Sequence, residues 1–585
     1  MIDKIITTDV LIIGSGGAGA SAAIKASECT VDVTIVTKGR MGHCGATVTG
    51  EADCDVDGKS LCDFGLPADP RDNQEIFFED IVKGGKFLSN QKLIEIHVKE
   101  APDRLKELIE WGVRIERVVK ASGHTYKRGA IIPGNTLMPI LKREVEKRGV
   151  NVIEDTMVTN LLTNGGRVVG AVALDIQNGE FIVFKAKAVI MATGGCMGIY
   201  PFTTAPEELT GDGYAIAYRA GVELIDMEFP MFIPGAFVWP PALKGVIVPF
   251  LLSAAGEVHG WLLNKFGERF MERWAPKTME HSTRDIVSVA MMMEILEGRG
   301  SPHGGVYVSL KHLPDNLIED IPNWRPMVKD WKYGGFDLKE FFPLDKLKKE
   351  AMEAAPYCHF TNGGIKINEK CETNLLGLYA AGEVAGGIHG SNRLSGNAFT
   401  AMLVWGARAG KFASEYALKT DFGEIDINQV EAFKNKIFKV FERTEGIKPI
   451  ELRKRIQKLA WENCGVIRDE SGLKFAIKEI ERMRDNELPR LYLTVKTKVY
   501  NKEWVEALQI DNMLLILEMI ARAALLRTES RGAHYRKDYP YTDYKNWSKN
   551  IVIRELNGKM DLYTQPVIVT KLKSPEKILP YGMVE

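Results

Sequence analysis

Close cysteine pairs are missing from this sequence. The eight cysteines, Cys29, Cys44, Cys54, Cys62, Cys196, Cys358, Cys371 and Cys464, form no CxxC pair and none of the short spacings that hold an iron–sulfur cluster. The trio Cys44, Cys54 and Cys62 comes nearest, and scattered free thiols with no metal site are the expectation. Any one-electron relay then has to sit on another chain or in a soluble acceptor. Long apolar runs are missing too. The most hydrophobic later stretch, residues 246–263, is interrupted by Pro249, Glu257 and His259, whereas a membrane helix needs about 20 mostly apolar residues. After Met1-Ile2-Asp3-Lys4 the chain enters a β-like run with no apolar leader, so no signal peptide is expected and the default compartment is the cytoplasm. Strong charge of one sign is also lacking. A net charge of −1 gives no long-range field for nucleic acid or an anionic membrane, and the pair Lys454-Arg455 reads as a solvated helix face.

What is present begins with size. At 585 residues the chain exceeds a single core, so two to four domains are expected. An apolar fraction of 45% and a charged fraction of 26% are ordinary for a globular protein.

The first motif is nucleotide-binding. Asp9-Val10-Leu11-Ile12-Ile13 is an apolar, β-branched run typical of a buried parallel strand. It leads into Gly14-Ser15-Gly16-Gly17-Ala18-Gly19, an Ala-rich helix at residues 20–27 and a second strand at residues 31–36. In this strand–GxGxxG–helix–strand context Gly14 permits the tight turn, Gly16 lets the backbone approach a pyrophosphate, and Gly19 allows close helix–strand packing. The phosphates would sit on the helix N-terminus, where free N–H groups and the helix dipole favour negative charge. At the end of the second strand Thr37-Lys38 replaces the acid expected of an NAD site, which weakens NAD and leaves FAD.

Two more strand ends point the same way. Ala188-Val189-Ile190-Met191-Ala192-Thr193-Gly194-Gly195 is a buried strand closing in a small turn, and Gly377-Leu378-Tyr379-Ala380-Ala381-Gly382-Glu383 repeats that logic. Three strand ends converging on one extended ligand suit FAD, with Glu383 accepting from sugar or ribityl hydroxyls.

The order of the motifs resembles the flavoprotein subunit family of succinate dehydrogenase and fumarate reductase, with L-aspartate oxidase and the adenylylsulfate reductase α subunit more distant. Besides the glycine loop and Ala192-Thr193-Gly194-Gly195, the matching stretches include Thr210-Gly211-Asp212-Gly213, Thr283-Arg284-Asp285 and His359-Phe360-Thr361-Asn362-Gly363-Gly364. They continue with His389-Gly390-Ser391-Asn392-Arg393-Leu394, Asn397 and Thr528-Glu529-Ser530-Arg531-Gly532-Ala533-His534-Tyr535-Arg536. The resemblance implies an α/β fold. A Rossmann-like FAD-binding domain (residues 1–232 and 353–415) is interrupted by an α+β capping domain (233–352). A C-terminal helical domain (416–531) and a C-terminal extension (532–585) follow. Helical spacing at residues 429–441 and 513–526 agrees independently.

By the same resemblance, Arg284, His359 and Arg393 are the catalytic candidates. Arg393 clamps a substrate carboxylate with its planar fork, His359 is a second carboxylate donor, and Arg284 transfers the proton. FAD would be held by Gly14, Gly16, Gly17, Ala18, Gly19, Thr37, Lys38, Ala46, Thr47, Thr193, Gly194, Asp212, Gly382, Glu383, Asn397 and Ala398. The implied reaction is hydride transfer between flavin and a small carboxylate substrate. The implied partner is an iron–sulfur protein subunit contacting the helical domain and residues 528–536, with any membrane attachment only through partner subunits. A stand-alone L-aspartate oxidase-type enzyme, an adenylylsulfate reductase α-like subunit and an electron-transfer flavoprotein subunit are the alternatives.

Four departures from the family pattern follow. Ile233 stands where fumarate-type enzymes carry a substrate histidine, and isoleucine cannot donate to a carboxylate. One end of the substrate therefore meets an apolar wall, unless Ser253 or His259 takes over, or has a less polar group. Residues 251–260 lack the family's Thr-Glu pair. Ala46 fills the slot of the flavin-linking histidine and His43 lies three residues too early, so FAD is expected to be non-covalent. Next to it, Glu51-Ala52-Asp53 differs from the usual Glu-Gly-Gly and restricts a backbone that glycine leaves free.

Overall fold

The computed structural model describes residues 2–248, 260–319 and 341–582; Ser253, His259 and most of the loop at 251–260 lie outside them. The apolar start of the chain forms the strand Lys4–Ile13, longer than its buried core because Lys4, Ile5 and Thr7 continue it toward solvent. It pairs in parallel with Val33–Val36 on one side and Phe181–Met191 on the other. These are the centre of a seven-stranded sheet that Asn151–Ile153 extends at one edge and the antiparallel hairpin Thr156–Asn164/Arg167–Asp175 at the other. The short strand Leu378–Ala380 also pairs in parallel with Phe181–Met191.

Register decides what this sheet is for. Ile13 lies opposite Met191, and Met191 opposite Ala380, so three carboxyl ends stop at one level. The turns that follow each of them meet there, and ligands of open parallel sheets bind at such ends. The helix expected at residues 20–27 begins earlier, at Gly17–Ala26, because Gly17 and Gly19 are helical and leave room for close packing. Across it runs the long helix Asn397–Ala417. Gly406 and Gly410 face the Ala18 and Ala22 carbonyls, where a Cβ would have no room, and the two helices meet backbone to backbone.

A second, four-stranded sheet has the order Pro230–Trp239, Met352–Thr361, Val306–Ser309, Trp261–Leu263. Its own core contains Phe237, Leu262, Met291, Val306, Val308 and Ala354. The helix Arg284–Leu296 supplies Met291 and packs against it. The expected division at 232/233 falls inside the strand Pro230–Trp239: this strand carries the chain unbroken from the nucleotide-binding part to the second sheet.

The helical part consists of Ile427–Phe438, Pro449–Cys464, Glu470–Asn486 and Lys502–Leu526. The last is buried on nearly every face, which explains why its sequence is apolar around the whole helix. The C-terminal stretch is more than an appendage. Lys549–Leu556 inserts beside Leu224–Ile225 in a five-stranded sheet.

Residues 528–536 correct one expectation. Glu529, Ser530, Arg531, His534 and Arg536 are buried. Arg527 donates to Glu228 at 2.7 Å and to Glu529 at 2.9 Å, and Arg531 Nη2 donates to Glu529 at 2.9 Å. Charges removed from water have to be paired within the protein, so this stretch ties the helical part to its neighbours, and its side chains are not a docking face. Among the described residues no helix is long and apolar enough to cross a membrane.

Candidate functional site

One elongated cavity of about 680 Å³ opens at the shared carboxyl ends of the sheet, within the size range of small-molecule sites. It begins at the glycine loop. Gly14 has φ +109°, and a Cβ there would strike the Ala192 carbonyl. At Gly19 a Cβ would strike the carbonyl of Gly14. Gly16 differs: a Cβ would meet only Thr47 Oγ1, at 3.4 Å, so its bare backbone borders open space. The N-terminus of the helix Gly17–Ala26 points its dipole at that space, and Gly17 N–H donates to Thr47 Oγ1 at 3.1 Å. Thr37 lines the same end and accepts from Ser15 Oγ at 2.9 Å. Lys38 lines it too, its ammonium donating to Asp212 at 2.7 Å and to the Glu208 carbonyl at 2.6 Å. Burial pushes the Asp212 carboxyl up, but Lys38, Asn512 and Thr210 together hold it below its ordinary value.

The middle of the cavity is lined by Ala46, Thr47, Thr193, Gly194, Gly382, Glu383 and Ala398. Glu383 accepts from Thr361 N–H at 2.9 Å, and burial raises its pKa to about 7 against the pull of that bond and of Arg393. Gly396, Ala398 and Phe399 bring the start of the helix Asn397–Ala417 to the wall, a second helix N-terminus that favours negative charge.

The far end holds Arg284, His359 and Arg393 together, from three segments of the chain. Arg284 is the first residue of its helix, where a cation opposes the dipole. Its Nη2 donates to Ser395 Oγ at 2.8 Å while Nη1 is buried without a partner. Arg393 stacks 4.6 Å over the Phe360 ring and donates to the Leu394 carbonyl at 3.1 Å, with Nε unpartnered. Among the described residues no carboxylate lies within ion-pairing distance of either guanidinium. Burial and then the neighbouring Arg284 charge bring the Arg393 pKa down to about 9; burial lowers that of Arg284 against Asp53 and Asp55. Burial, Arg284 and Arg393 also keep His359 neutral. Two desolvated guanidinium groups without a carboxylate partner beside a neutral imidazole leave donors free to meet an anion.

Apolar groups close this end. Ile233, Phe237 and Ile247 line it, and Ile233 is packed among Ala236, Ala355 and Tyr357.

Of the residues expected to hold the cofactor, Gly19 and Asn397 do not face the cavity. Gly19 serves helix packing, and the Asn397 amide donates to Asp55 Oδ2 at 3.2 Å while its carbonyl oxygen meets His97 at 3.0 Å. His43 is exposed, whereas Ala46 is at the wall. The Asp53 side chain is accommodated because Glu51–Asp55 is an extended strand paired with Gly129–Pro133. Thr204, Ser395 and Asp53 were not among the candidates. Thr204 bonds His359 and Ser395 bonds Arg284 across sequence separations of 155 and 111 residues; no local pattern marks such partners.

The bare backbone at Gly16, two helix N-termini and a hydroxyl-accepting acid at Glu383 along one cavity fit FAD. Comparison with known proteins agrees. The FAD binding domain model matches residues 9–399 and the fumarate reductase flavoprotein C-terminal model matches residues 453–580. A fumarate reductase (CoM/CoB) subunit from Methanothermobacter marburgensis is 38% identical, over 96% of this chain and 99% of that protein. The Mycobacterium smegmatis Sdh1 complex contains a chain that is 32% identical with a TM-score of 0.82, covering 97% of this chain and 96% of that one. E. coli quinol fumarate reductase FrdA superposes with a TM-score of 0.87 at 27% identity, covering 98% of each chain. This chain belongs to the fumarate reductase and succinate dehydrogenase flavoprotein family and is an FAD-dependent oxidoreductase.

Proposed function

We propose that this chain is the flavin-bearing subunit of a fumarate reductase-like enzyme, exchanging a hydride and a proton across a carbon–carbon bond next to a carboxylate. The observation that carries this reading is the meeting of Arg284, Arg393 and neutral His359, without a paired carboxylate, in the cavity that begins at the glycine loop. Bound there, FAD supplies two-electron hydride exchange with a substrate carbon. Arg393 and His359 hold and orient the carboxylate, Arg284 holds the proton for the neighbouring carbon, and the apolar wall excludes water. FAD is held non-covalently, supported by Ala46 at the wall and the exposure of His43; acid precipitation releases all of the flavin.

In this reading residues 1–232 and 353–415 carry FAD, 233–352 cap it, 416–531 form the helical domain and 532–585 the extension. Electrons reach the flavin from an iron–sulfur protein subunit, a role supported by relatives named as subunits and by the scattered free cysteines here. The enzyme works at the cytoplasmic side, touching a membrane only through partners.

The test is anaerobic: reduce the bound flavin, then add fumarate, monocarboxylic enoates or iminoaspartate and follow reoxidation. Reoxidation by an unsaturated acid, lost in Arg393→Ala and Arg284→Ala, is expected; identical behaviour of wild type and both variants with every acid overturns the reading. The wall of Ile233, Phe237 and Ile247 favours a second, narrower reading in which the substrate has a carboxylate at one end and a less polar group at the other.

A further inference from the structure

Arg284 and Arg393 reach the polar end of the cavity from different parts of the fold. Arg393 belongs to the stretch that leads into the helix Asn397–Ala417, whereas Arg284 opens the helix packed on the second sheet. Among the described residues a single hydrogen bond holds the Arg284 guanidinium, from Nη2 to Ser395 Oγ at 2.8 Å, while Nη1 is buried without a partner. Ser395 also lines the cavity and lies two residues beyond Arg393. One short stretch therefore supplies one guanidinium and holds the other.

The hydroxyl of Ser395 is set by its surroundings. Arg393 N–H donates to Asn362 Oδ1 at 3.1 Å, and His124 Nε2 lies 3.0 Å from the Ser395 carbonyl oxygen. Gly396 has φ +81°, and a Cβ there would strike the Asp55 carboxylate. Leu394 packs so closely on Gly84 that a Cβ at that glycine would lie 3.1 Å from Leu394 Cδ1. Ser395 itself is buried. A side chain fixed in this way from behind can hold a neighbouring group in a productive geometry.

Resting on the fumarate reductase-like reading above, we propose that Ser395 is the positioning residue for Arg284. It holds one amino group of the guanidinium, leaves the other for the substrate, and does so without a charge of its own.

The missing charge matters for the chemistry. When a guanidinium N–H bond breaks, its electron pair stays on nitrogen and the proton passes to the substrate carbon. Neutral guanidine remains until a solvent proton restores it. A carboxylate acceptor would favour the charged form and oppose this step, whereas a hydroxyl orients the group without that opposition. Burial lowers the Arg284 pKa in the same sense, against Asp53 and Asp55. Arg284 and Arg393 also carry like charge in a dry site, and each disfavours the charged form of the other. The bond to Ser395 keeps Arg284 beside Arg393 despite that repulsion.

The test compares wild type, Ser395→Ala and Ser395→Cys, whose sulfur accepts only weakly. With the acid that reoxidises the wild-type flavin, kcat in Ser395→Ala falls about 10- to 100-fold, as for a lost hydrogen bond to a charged group. KM stays within about threefold, because Arg393 and His359 still hold the carboxylate. The solvent deuterium isotope effect on flavin reoxidation rises, since proton transfer has slowed relative to the other steps. In the FAD-free protein, amide exchange at Val287 and Ser288, in the first turn of the Arg284 helix, becomes faster. Wild-type kcat and isotope effect in Ser395→Ala overturn the inference and leave the fumarate reductase-like reading standing. A KM that rises as far as kcat falls also overturns it, because the whole site has then loosened. If Ser395→Ala does not fold, Ser395→Cys decides by the same measures, and wild-type kinetics in that variant overturn the inference. If no acid reoxidises the wild-type flavin the functional reading fails. Amide exchange then decides by itself, and rates equal to wild type in both variants overturn the hold of Ser395 on Arg284.

Discussion

Thr204 Oγ1 lies 2.7 Å from Nδ1 of His359. Thr204 follows the glycine turn of the main sheet, and His359 stands on the strand Met352–Thr361 of the second sheet. When the hydroxyl donates, Nε2 carries the imidazole proton, and neutral His359 is a hydrogen-bond donor toward the cavity.

This bond predicts a positioning role for Thr204. In Thr204→Val the imidazole loses its orienting partner, so KM for the carboxylate substrate rises about tenfold while kcat stays within about threefold, the loss of roughly one hydrogen bond. Thr204→Ser restores both. Steady-state kinetics decide; an unchanged KM in the valine variant removes the role.

The two glycines of the nucleotide loop are expected to fail differently. Gly16→Ala fits the fold, because its Cβ meets only Thr47 Oγ1 at 3.4 Å, yet it fills the approach to a pyrophosphate. Its thermal stability without FAD matches wild type and its FAD affinity drops at least about tenfold. Gly19→Ala forces a Cβ onto the Gly14 carbonyl and destabilises the protein by about 1–3 kcal/mol, as overpacking does. Calorimetry of both FAD-free variants separates the cases, and equal melting temperatures contradict the packing assigned to Gly19.

Glu383 gives a pH signature in the FAD-free protein. Burial raises its pKa to about 7 from an ordinary 4.5, so between those values the folded state binds more protons than the unfolded one, and stability falls as pH rises. Glu383→Gln removes the penalty. It leaves stability unchanged at pH 4 and stabilises by up to about 3 kcal/mol at pH 8. Denaturant unfolding at the two pH values checks this, and a larger gain at pH 4 than at pH 8 refutes it.

Ile233 makes a prediction about selectivity. Ile233→His places a donor in the apolar wall, so kcat/KM for fumarate rises relative to a monocarboxylic enoate by about tenfold, near the worth of one new charged hydrogen bond. A ratio unchanged by the substitution means that Ile233 does not meet the substrate's second end.

Much of the nucleotide half was legible in the sequence. Strand period, glycine spacing and the small turns at Thr193-Gly194 and Gly382 are local signals, and the register of Ile13, Met191 and Ala380 brings them to one level as expected. Arg284, His359 and Arg393 were legible only through the whole-chain resemblance, since no spacing connects them. The burial of residues 528–536 was not legible, because a run rich in Arg and Glu looks solvent-facing until its ion pairs are seen.

The sequence by itself determined that a dinucleotide would lie across the ends of a parallel sheet, because backbone geometry at glycine and apolar periodicity are properties of a few consecutive residues. Only the tertiary structure decided which polar groups share the far end of the cavity. Ser395 bonding Arg284, Thr204 aligning His359 and Ile233 closing the wall depend on strands and helices from distant parts of the chain. Burial sets their charge states, and burial is a property of the assembled fold.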